Sequence, residues 1–379
     1  MHDKNVKKKW EDYCMQMLVQ LNPLLRSRGY ELDHKQPHIM GERFLTRPIM
    51  GGRKLVLLGR SIKDGTRVVI KASNEPKGIQ ELEDERRSRE VLEEIKFAYQ
   101  TFFSPRELAF FKTHEVKGFA ILVTEFIEQE RPFLARTLKE QFRLALAAFK
   151  AQEGAHATTY GHQSVMKSIG KMRAVDYYIK AGEYRKIGAY AQDLVGLVID
   201  DEELYPQLDT ALNKAIEIIR NNEETLDRYG DFLTHWDFIP QNFRIRDEKL
   251  YLLDHLSIRS GNKYEGWARF INFMVLYNPP LADALVEYVH LNRTPEESLA
   301  LKLMRVYRLM ELIRYYASWL SQTDGNLHEL TRTRIAFWTE VLQAVLDDKK
   351  VGDGIIEAYK KKRDALRGEE EKLRQKELH

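Results

Sequence analysis

A carboxylate, an amide and a second carboxylate are gathered in one short stretch of this chain, and few folds bring such a set to a single turn. The stretch reads His235-Trp236-Asp237-Phe238-Ile239-Pro240-Gln241-Asn242, then a strand-like run Tyr251-Leu252-Leu253, then Asp254. Asn242 follows Asp237 by five residues, a gap that sets both side chains at one end of a tight loop. Each of these residue types is commoner as a turn or capping residue than as a reactive group. The weight of the pattern therefore rests on what the rest of the chain supplies.

Upstream, residues 42–127 are the only part that reads persistently as β. Leu55-Val56-Leu57-Leu58-Gly59-Arg60 and Arg67-Val68-Val69-Ile70-Lys71 flank Lys63-Asp64-Gly65-Thr66, and Asp-Gly between two apolar runs signals a hairpin. Ahead of them, Gly51-Gly52 leaves backbone N–H groups unshielded by any Cβ, so that this turn can approach phosphates closely. Lys71 ends a β-branched strand, as an apolar strand that delivers a lysine to the phosphates of a nucleotide would. Such a lysine needs an acidic partner. Residues 79–99 are rich in Glu, Arg and Leu and free of Pro and Gly, which predicts a helix. Turning Leu82, Leu92 and Tyr99 inward sets Glu85 and Arg89 on the same stripe, which makes Glu85 the preferred partner of Lys71, with Glu81 and Glu90 as rivals. A further apolar strand, Phe119-Ala120-Ile121-Leu122-Val123, runs into Thr124-Glu125-Phe126-Ile127.

From 136 to 348 helical signals dominate, at 138–155, 208–226, 267–277 and 298–320, enough chain for a core of its own. The order strand, lysine, acidic helix, strand, helices and polar loop fits phosphoryl transfer. That chemistry uses one carboxylate to accept the proton of the attacking hydroxyl, an amide oxygen to hold magnesium, and a second carboxylate to bridge metal and nucleotide phosphates.

The chain resembles the aminoglycoside phosphotransferase family and its choline kinase-like relatives, small-molecule kinases with a protein-kinase-like fold. Their catalytic loop reads His-Gly-Asp, two residues, Pro, one residue, Asn, and is matched here at His235, Asp237, Pro240 and Asn242. Trp236 stands where the family usually has Gly, and Tyr264-Glu265-Gly266-Trp267-Ala268-Arg269-Phe270-Ile271-Asn272 stands where it often carries Gly-Asp-Pro followed by Asp. The resemblance implies an α+β, bilobal protein-kinase-like fold, with a small antiparallel β-sheet lobe carrying one main helix and a larger, mainly helical lobe. It implies that Asp237 is the catalytic base and that His235 braces the loop. Asn242 and Asp254 become magnesium ligands. Gly51, Gly52, Lys71, Glu85 and the hinge residues Thr124 and Phe126 would contact the nucleotide, ATP with GTP as the alternative. The acceptor would be a small-molecule hydroxyl. The implied organisation is an N-terminal helical extension over 1–39, a nucleotide-binding lobe over 40–127, a helical lobe over 128–348 and a charged tail over 349–379. Two other readings stay open: a pseudokinase that binds nucleotide or a partner without catalysis, and an atypical protein kinase. Against the second, His255-Leu256-Ser257 replaces the Phe-Gly typical after that Asp in protein kinases, and no Ala-Pro-Glu closes an activation segment.

Charge and cysteine content narrow the classes further. Sixty basic residues against fifty-seven acidic leave a net charge of +3, which gives no footprint for nucleic acid. A single Cys14 forms no internal disulfide, as expected of a reducing, cytoplasmic compartment. No run approaches the roughly eighteen apolar residues of a membrane span, and Met1-His2-Asp3-Lys4 does not open a signal peptide. Residues 5–22 read as an amphipathic helix with Trp10, Cys14, Met17, Leu18 and Leu21 on one stripe, stopped by Pro23 and docked on the small lobe. The tail from Gly354 reads as a solvated helix or frayed end. The run Asp200-Asp201-Glu202-Glu203 reads as a solvated helix start, or as an attractor for a cationic acceptor such as an aminoglycoside.

Overall fold

The computed structural model describes residues 2–34, 36, 54–94, 102–113, 118–160, 187–199, 201–230 and 232–367. The chain opens with α1 (His2–Arg26) and β1 (Tyr30–Leu32), followed by β2 (Leu55–Ser61), β3 (Arg67–Ser73), α2 (Pro76–Glu94), β4 (Phe102–Phe103), β5 (Glu107–Lys112) and β6 (Ala120–Glu125). Five of these strands form one antiparallel sheet in the order β1-β2-β3-β6-β5. The hairpin expected at Asp64-Gly65 is present: Gly65 takes φ +70, and Asp64 Oδ1 accepts from the Thr66 amide at 3.0 Å.

Alternation along β3 decides where Lys71 goes. Val68, Ile70 and Ala72 point to the face packed against Cys14, Met17, Leu21 and Leu25 of α1, so Lys71 emerges on the opposite face, toward α2. On that face Leu82 of α2 packs against Ala120 and Leu122 of β6. α1 does not stop at Pro23. It runs on to Arg26, because the buried stripe continues to Leu25 and its packing outweighs the hydrogen bond the proline removes. Tyr99, like Gly51 and Gly52, lies outside the described residues, as does the side chain of Leu92, whose backbone belongs to α2.

The second half is built from α3 (Leu138–Tyr160), α4 (Ile187–Val198), α5 (Leu204–Arg220), α6 (Glu223–Arg228), β7 (Phe232–His235), β8 (Phe243–Arg246), β9 (Lys249–Leu252), β10 (Ile258–Gly261), α7 (Glu265–Tyr277), α8 (Pro279–Asn292), α9 (Pro295–Ala317), α10 (Gly325–Leu346) and α11 (Asp353–Leu366). The single helix expected over 208–226 is two, α5 and α6, broken at Asn221 and Asn222, whose amides satisfy the last carbonyls of α5. The start of the tail is not a solvated end: in α11, Ile356 and Tyr359 are buried, and Tyr359 stacks on Phe337 of α10 at 4.1 Å between ring centroids. β7 pairs with β10, while β8 and β9 form a hairpin joined in parallel by β4. These short strands hold the loop that carries Asp237 and Asn242.

An aromatic cluster beneath that loop fixes its position. Phe238 is fully buried against Phe149, Phe243 and Phe270, at centroid separations of 5.4, 5.3 and 5.5 Å. With Phe238 turned inward, the adjacent Asp237 is left facing outward. Gly266, in the first turn of α7, lies so close to β7 that a Cβ there would come within 3.0 Å of the His235 carbonyl oxygen. Replacing Gly266 with Ala is expected to cost about 1–3 kcal/mol through that backbone clash. Gly196→Ala in α4, where a Cβ meets nothing within 4 Å, gains about 0.5–1 kcal/mol by helix propensity. Denaturant unfolding of the two variants checks this, and equal stabilities would refute the close packing of α7 on β7.

Candidate nucleotide and phosphoryl-transfer site

Glu85 lies fully buried on α2, and its carboxylate is matched by cations from β3 and from just ahead of β2. Lys71 Nζ donates to Glu85 Oε1, Lys54 Nζ lies 3.7 Å from Oε2, and Arg89 Nη2 lies 3.8 Å from Oε1. The rivals do other work: Glu81 is 3.9 Å from Lys54, and Glu90 pairs with Arg86 at 3.0 Å within the helix. Burial by itself raises the Glu85 carboxyl, but Lys71 and Lys54 outweigh it and hold it down at about 2 against an ordinary 4.5.

Lys71 also reaches across to the other half of the chain, donating to the Leu253 carbonyl at 3.1 Å. The Leu253 amide in turn donates to the Asn242 carbonyl at 2.9 Å. One peptide segment at the end of β9 therefore ties the lysine to the polar loop, and Asp254 is the next residue. Asp254 is fixed from its own side: Oδ1 accepts from the Leu256 amide at 3.1 Å and Oδ2 from Ser257 Oγ at 2.6 Å. His235 braces the same junction, its Nε2 lying 2.8 Å from the Asp254 carbonyl. Burial keeps the His235 ring below its usual range, so the neutral ring donates from Nε2.

Asp237 is held by two donors. Arg269 Nε of α7 donates to Oδ1 at 2.8 Å, and Asn242 Nδ2 donates to Oδ2 at 3.0 Å and to the Asp237 carbonyl at 2.8 Å. Burial would raise the Asp237 carboxyl, yet Arg269 brings it below the ordinary range, so it stays ionised. Because Asn242 spends its Nδ2 on Asp237, its Oδ1 is the atom left for a cation. That oxygen and the Asp254 carboxylate are the hard donors magnesium takes.

Thr124 is buried within β6, paired with Val69 of β3 and Glu107 of β5. Phe126 lies just past the strand, its amide bonded to the Arg67 carbonyl at 3.4 Å and its ring beneath the Arg67 guanidinium at 3.8 Å. Sequence reasoning missed Arg269, Arg308, Ser257 and the Leu253 carbonyl. Arg308 of α9 sits over the Trp236 ring at 5.2 Å and donates to the Trp236 carbonyl at 3.3 Å, which gives the bulky residue in the loop a defined place. The one available signal was Arg269 itself, a lone charge in an otherwise apolar stretch of helix. Two residues of the acidic run are paired: Asp201 accepts from Arg332 at 2.6 and 2.9 Å and caps α5 through the amides of Glu203 and Leu204, while Glu203 also binds Arg332. Among the described residues no helix is long and apolar enough to cross a membrane.

No protein-family model matches the chain, and no curated protein matches it in sequence. Solved structures do match in fold. A thermostable mutant of aminoglycoside phosphotransferase APH(4)-Ia, in ternary complex with AMP-PNP and hygromycin B, superposes with a TM-score of 0.52 at 13% identity, covering 79% of this chain and 92% of that one. The GDP complex of an aminoglycoside 2'-phosphotransferase-IIIa mutant gives 0.51 at 13% identity, covering 79% and 93%. The fold is thus that of the aminoglycoside phosphotransferases, the bilobal protein-kinase-like fold.

The depressed Glu85 carboxyl carries a pH signature. A group lowered in the folded state stabilises fully above its unfolded value, and that contribution is lost as pH falls through the folded value. For Glu85 the window runs from 4.5 down to about 2, and the contribution is on the order of 3 kcal/mol. Acid unfolding followed by circular dichroism should show Glu85→Gln losing less stability than wild type across that window. Parallel curves would mean that the pair contributes nothing.

Proposed function

We propose that this protein transfers the γ-phosphoryl group of a nucleoside triphosphate, ATP or alternatively GTP, to a hydroxyl of a small molecule. The observation that carries the reading is the bond from Lys71 to the Leu253 carbonyl, made while Lys71 is still paired with Glu85. It ties Lys71 to the peptide segment that precedes Asp254 and is itself bonded to Asn242, which supports a role for the lysine toward phosphates. The fold shared with the phosphotransferase that was crystallised with AMP-PNP and hygromycin B supports it.

An ammonium has three N–H donors. Glu85 and Leu253 take two of those on Lys71, leaving the third for the α- and β-phosphates. Asp237 would accept a hydrogen bond from the acceptor hydroxyl through a lone pair that Arg269 and Asn242 leave open, so orienting the nucleophile. With its basicity lowered by Arg269, Asp237 takes the proton late, as suits a loose transition state in which the leaving phosphoryl group carries most of the charge. Asn242 Oδ1 and Asp254 would hold magnesium, which when bound neutralises charge on the phosphates.

Asp237→Asn is expected to lower turnover by roughly 10²–10⁴ while leaving nucleotide affinity near that of wild type. Coupled detection of ADP over a panel of acceptor alcohols, alongside nucleotide titration, measures both, and near-native turnover in the variant would remove Asp237 from the mechanism. Arg269→Met takes away the charge that depresses Asp237, so the acidic limb of the kcat/KM profile should move to higher pH. An unmoved limb would mean that Arg269 does not set the protonation of Asp237.

A further inference from the structure

The helical half contains a buried arginine for which the phosphoryl-transfer site has no use. Arg334 of α10 is only 4% exposed. Its guanidinium lies over the Tyr316 ring of α9 at 5.3 Å, and it makes no hydrogen bond and no ion pair among the described residues. A guanidinium stays charged at any pH a protein tolerates. Its nitrogens keep contact with solvent while the rest of the side chain is enclosed, and the cation–π contact supplies no counter-charge. The neighbouring groups do not provide that charge. Arg269 and Arg363 act on the same tyrosines and are committed to Asp237 and Asp364. Burial pushes the phenols of Tyr316 and Tyr359 up, so both remain neutral.

The position of Arg334 relates it to the loop that carries Asp237. Arg308, eight residues before Tyr316 on the same helix, donates to the Trp236 carbonyl next to Asp237. Positions eight apart share one stripe of a helix and are separated by about 12 Å along its axis. Asn272 of α7 and Arg305 of α9, exchanging bonds of 3.1 and 3.0 Å, keep the two helices in fixed relation. A molecule of sugar size spans such a distance. Of the acidic run that a cationic acceptor would use, Asp201 and Glu203 are paired with Arg332.

We propose that Arg334 is an anion-binding residue and that the acceptor is a hydroxyl compound bearing a phosphate or a carboxylate, docked on Arg334 while its hydroxyl lies at Asp237. The second half of this statement rests on the phosphotransferase reading; the anion site does not. A guanidinium that meets solvent from an otherwise enclosed side chain, with no ion pair among the described residues, can exchange that water for the two oxygens of an anion.

Calorimetric titration of inorganic phosphate and of acetate into the full chain, without nucleotide, tests the anion site on wild type, Arg334→Met, Arg334→Lys and Lys139→Met, the last removing an exposed lysine of α3. Wild type should bind at least one of the two anions, and the better one identifies the class. Arg334→Met should weaken binding roughly tenfold or more, and Arg334→Lys should recover part of it, since an ammonium keeps the charge without the fork. Lys139→Met should bind as wild type does. Arg334→Met should also melt near the wild-type temperature without anion, which separates lost binding from lost folding. No saturable binding to wild type, or binding kept in Arg334→Met, overturns the proposal. ADP release with a sugar phosphate, the corresponding sugar acid and the parent sugar then tests the acceptor. Preference for a charged acceptor, abolished in Arg334→Met, supports it, and preference for the neutral sugar overturns that half. Anion binding lost in Arg334→Met with no ADP release from any acceptor would retain the anion site and reject the phosphotransferase reading.

Discussion

A carboxylate with no solvent exposure has to be neutralised by protons or by cations, and Glu85 is neutralised by cations. Lys71, Lys54 and Arg89 surround it, and the attraction outweighs the burial cost. That balance determines much else. β3 must present Lys71 on the face away from α1, α2 must lie across that face, and the lysine must stop close enough to Leu253 to donate to its carbonyl. Removing one partner of such a group leaves the other buried and uncompensated, the costly way to break a buried pair. The ion pair is thus both a structural tie for α2 and the means by which Lys71 is held still beside the Leu253 carbonyl.

The opposite side of the site is organised by backbone. Leu253 accepts from Lys71 through its carbonyl and donates to Asn242 through its amide, while the Asp254 carbonyl meets His235. Because main-chain groups make these ties, the positions of Asp237, Asn242 and Asp254 depend on the register of the β8–β9 hairpin and on the aromatic floor under Phe238 more than on any single polar contact. Arg269 and Arg308 give Asp237 and Trp236 their settings. α7 approaches β7 without obstruction because Gly266 has no side chain there.

Some of this was legible in the sequence, and the reasons are physical. Period-two burial along Arg67–Ser73 and the three-and-four spacing of Leu82, Glu85 and Arg89 are local rules, so the meeting of Lys71 with Glu85 was readable without coordinates. The turn at Asp64-Gly65 was too, because Gly readily takes positive φ. Tertiary packing overrode local signals elsewhere. Leu25 carries α1 through Pro23, and Tyr359 docks a helix whose composition reads as solvated. Backbone contacts such as that of the Leu253 carbonyl leave no mark on side-chain identity. Long-range charge pairings, such as Arg332 with Asp201 and Arg269 with Asp237, join residues that no periodicity connects.

Among the described residues Arg269, Arg314, Arg332 and Arg363 of the helical half each have an ion pair, and Arg334 has none. The central claim nevertheless remains the nucleotide site formed by Lys71, Asn242 and Asp254. Its most direct test is calorimetric titration of AMP-PNP into the full chain with and without magnesium, repeated on Asp254→Asn. The account predicts that magnesium tightens binding to wild type and that this gain disappears in Asp254→Asn. Equal dependence on magnesium in both proteins, or no binding to wild type at millimolar nucleotide, would contradict it.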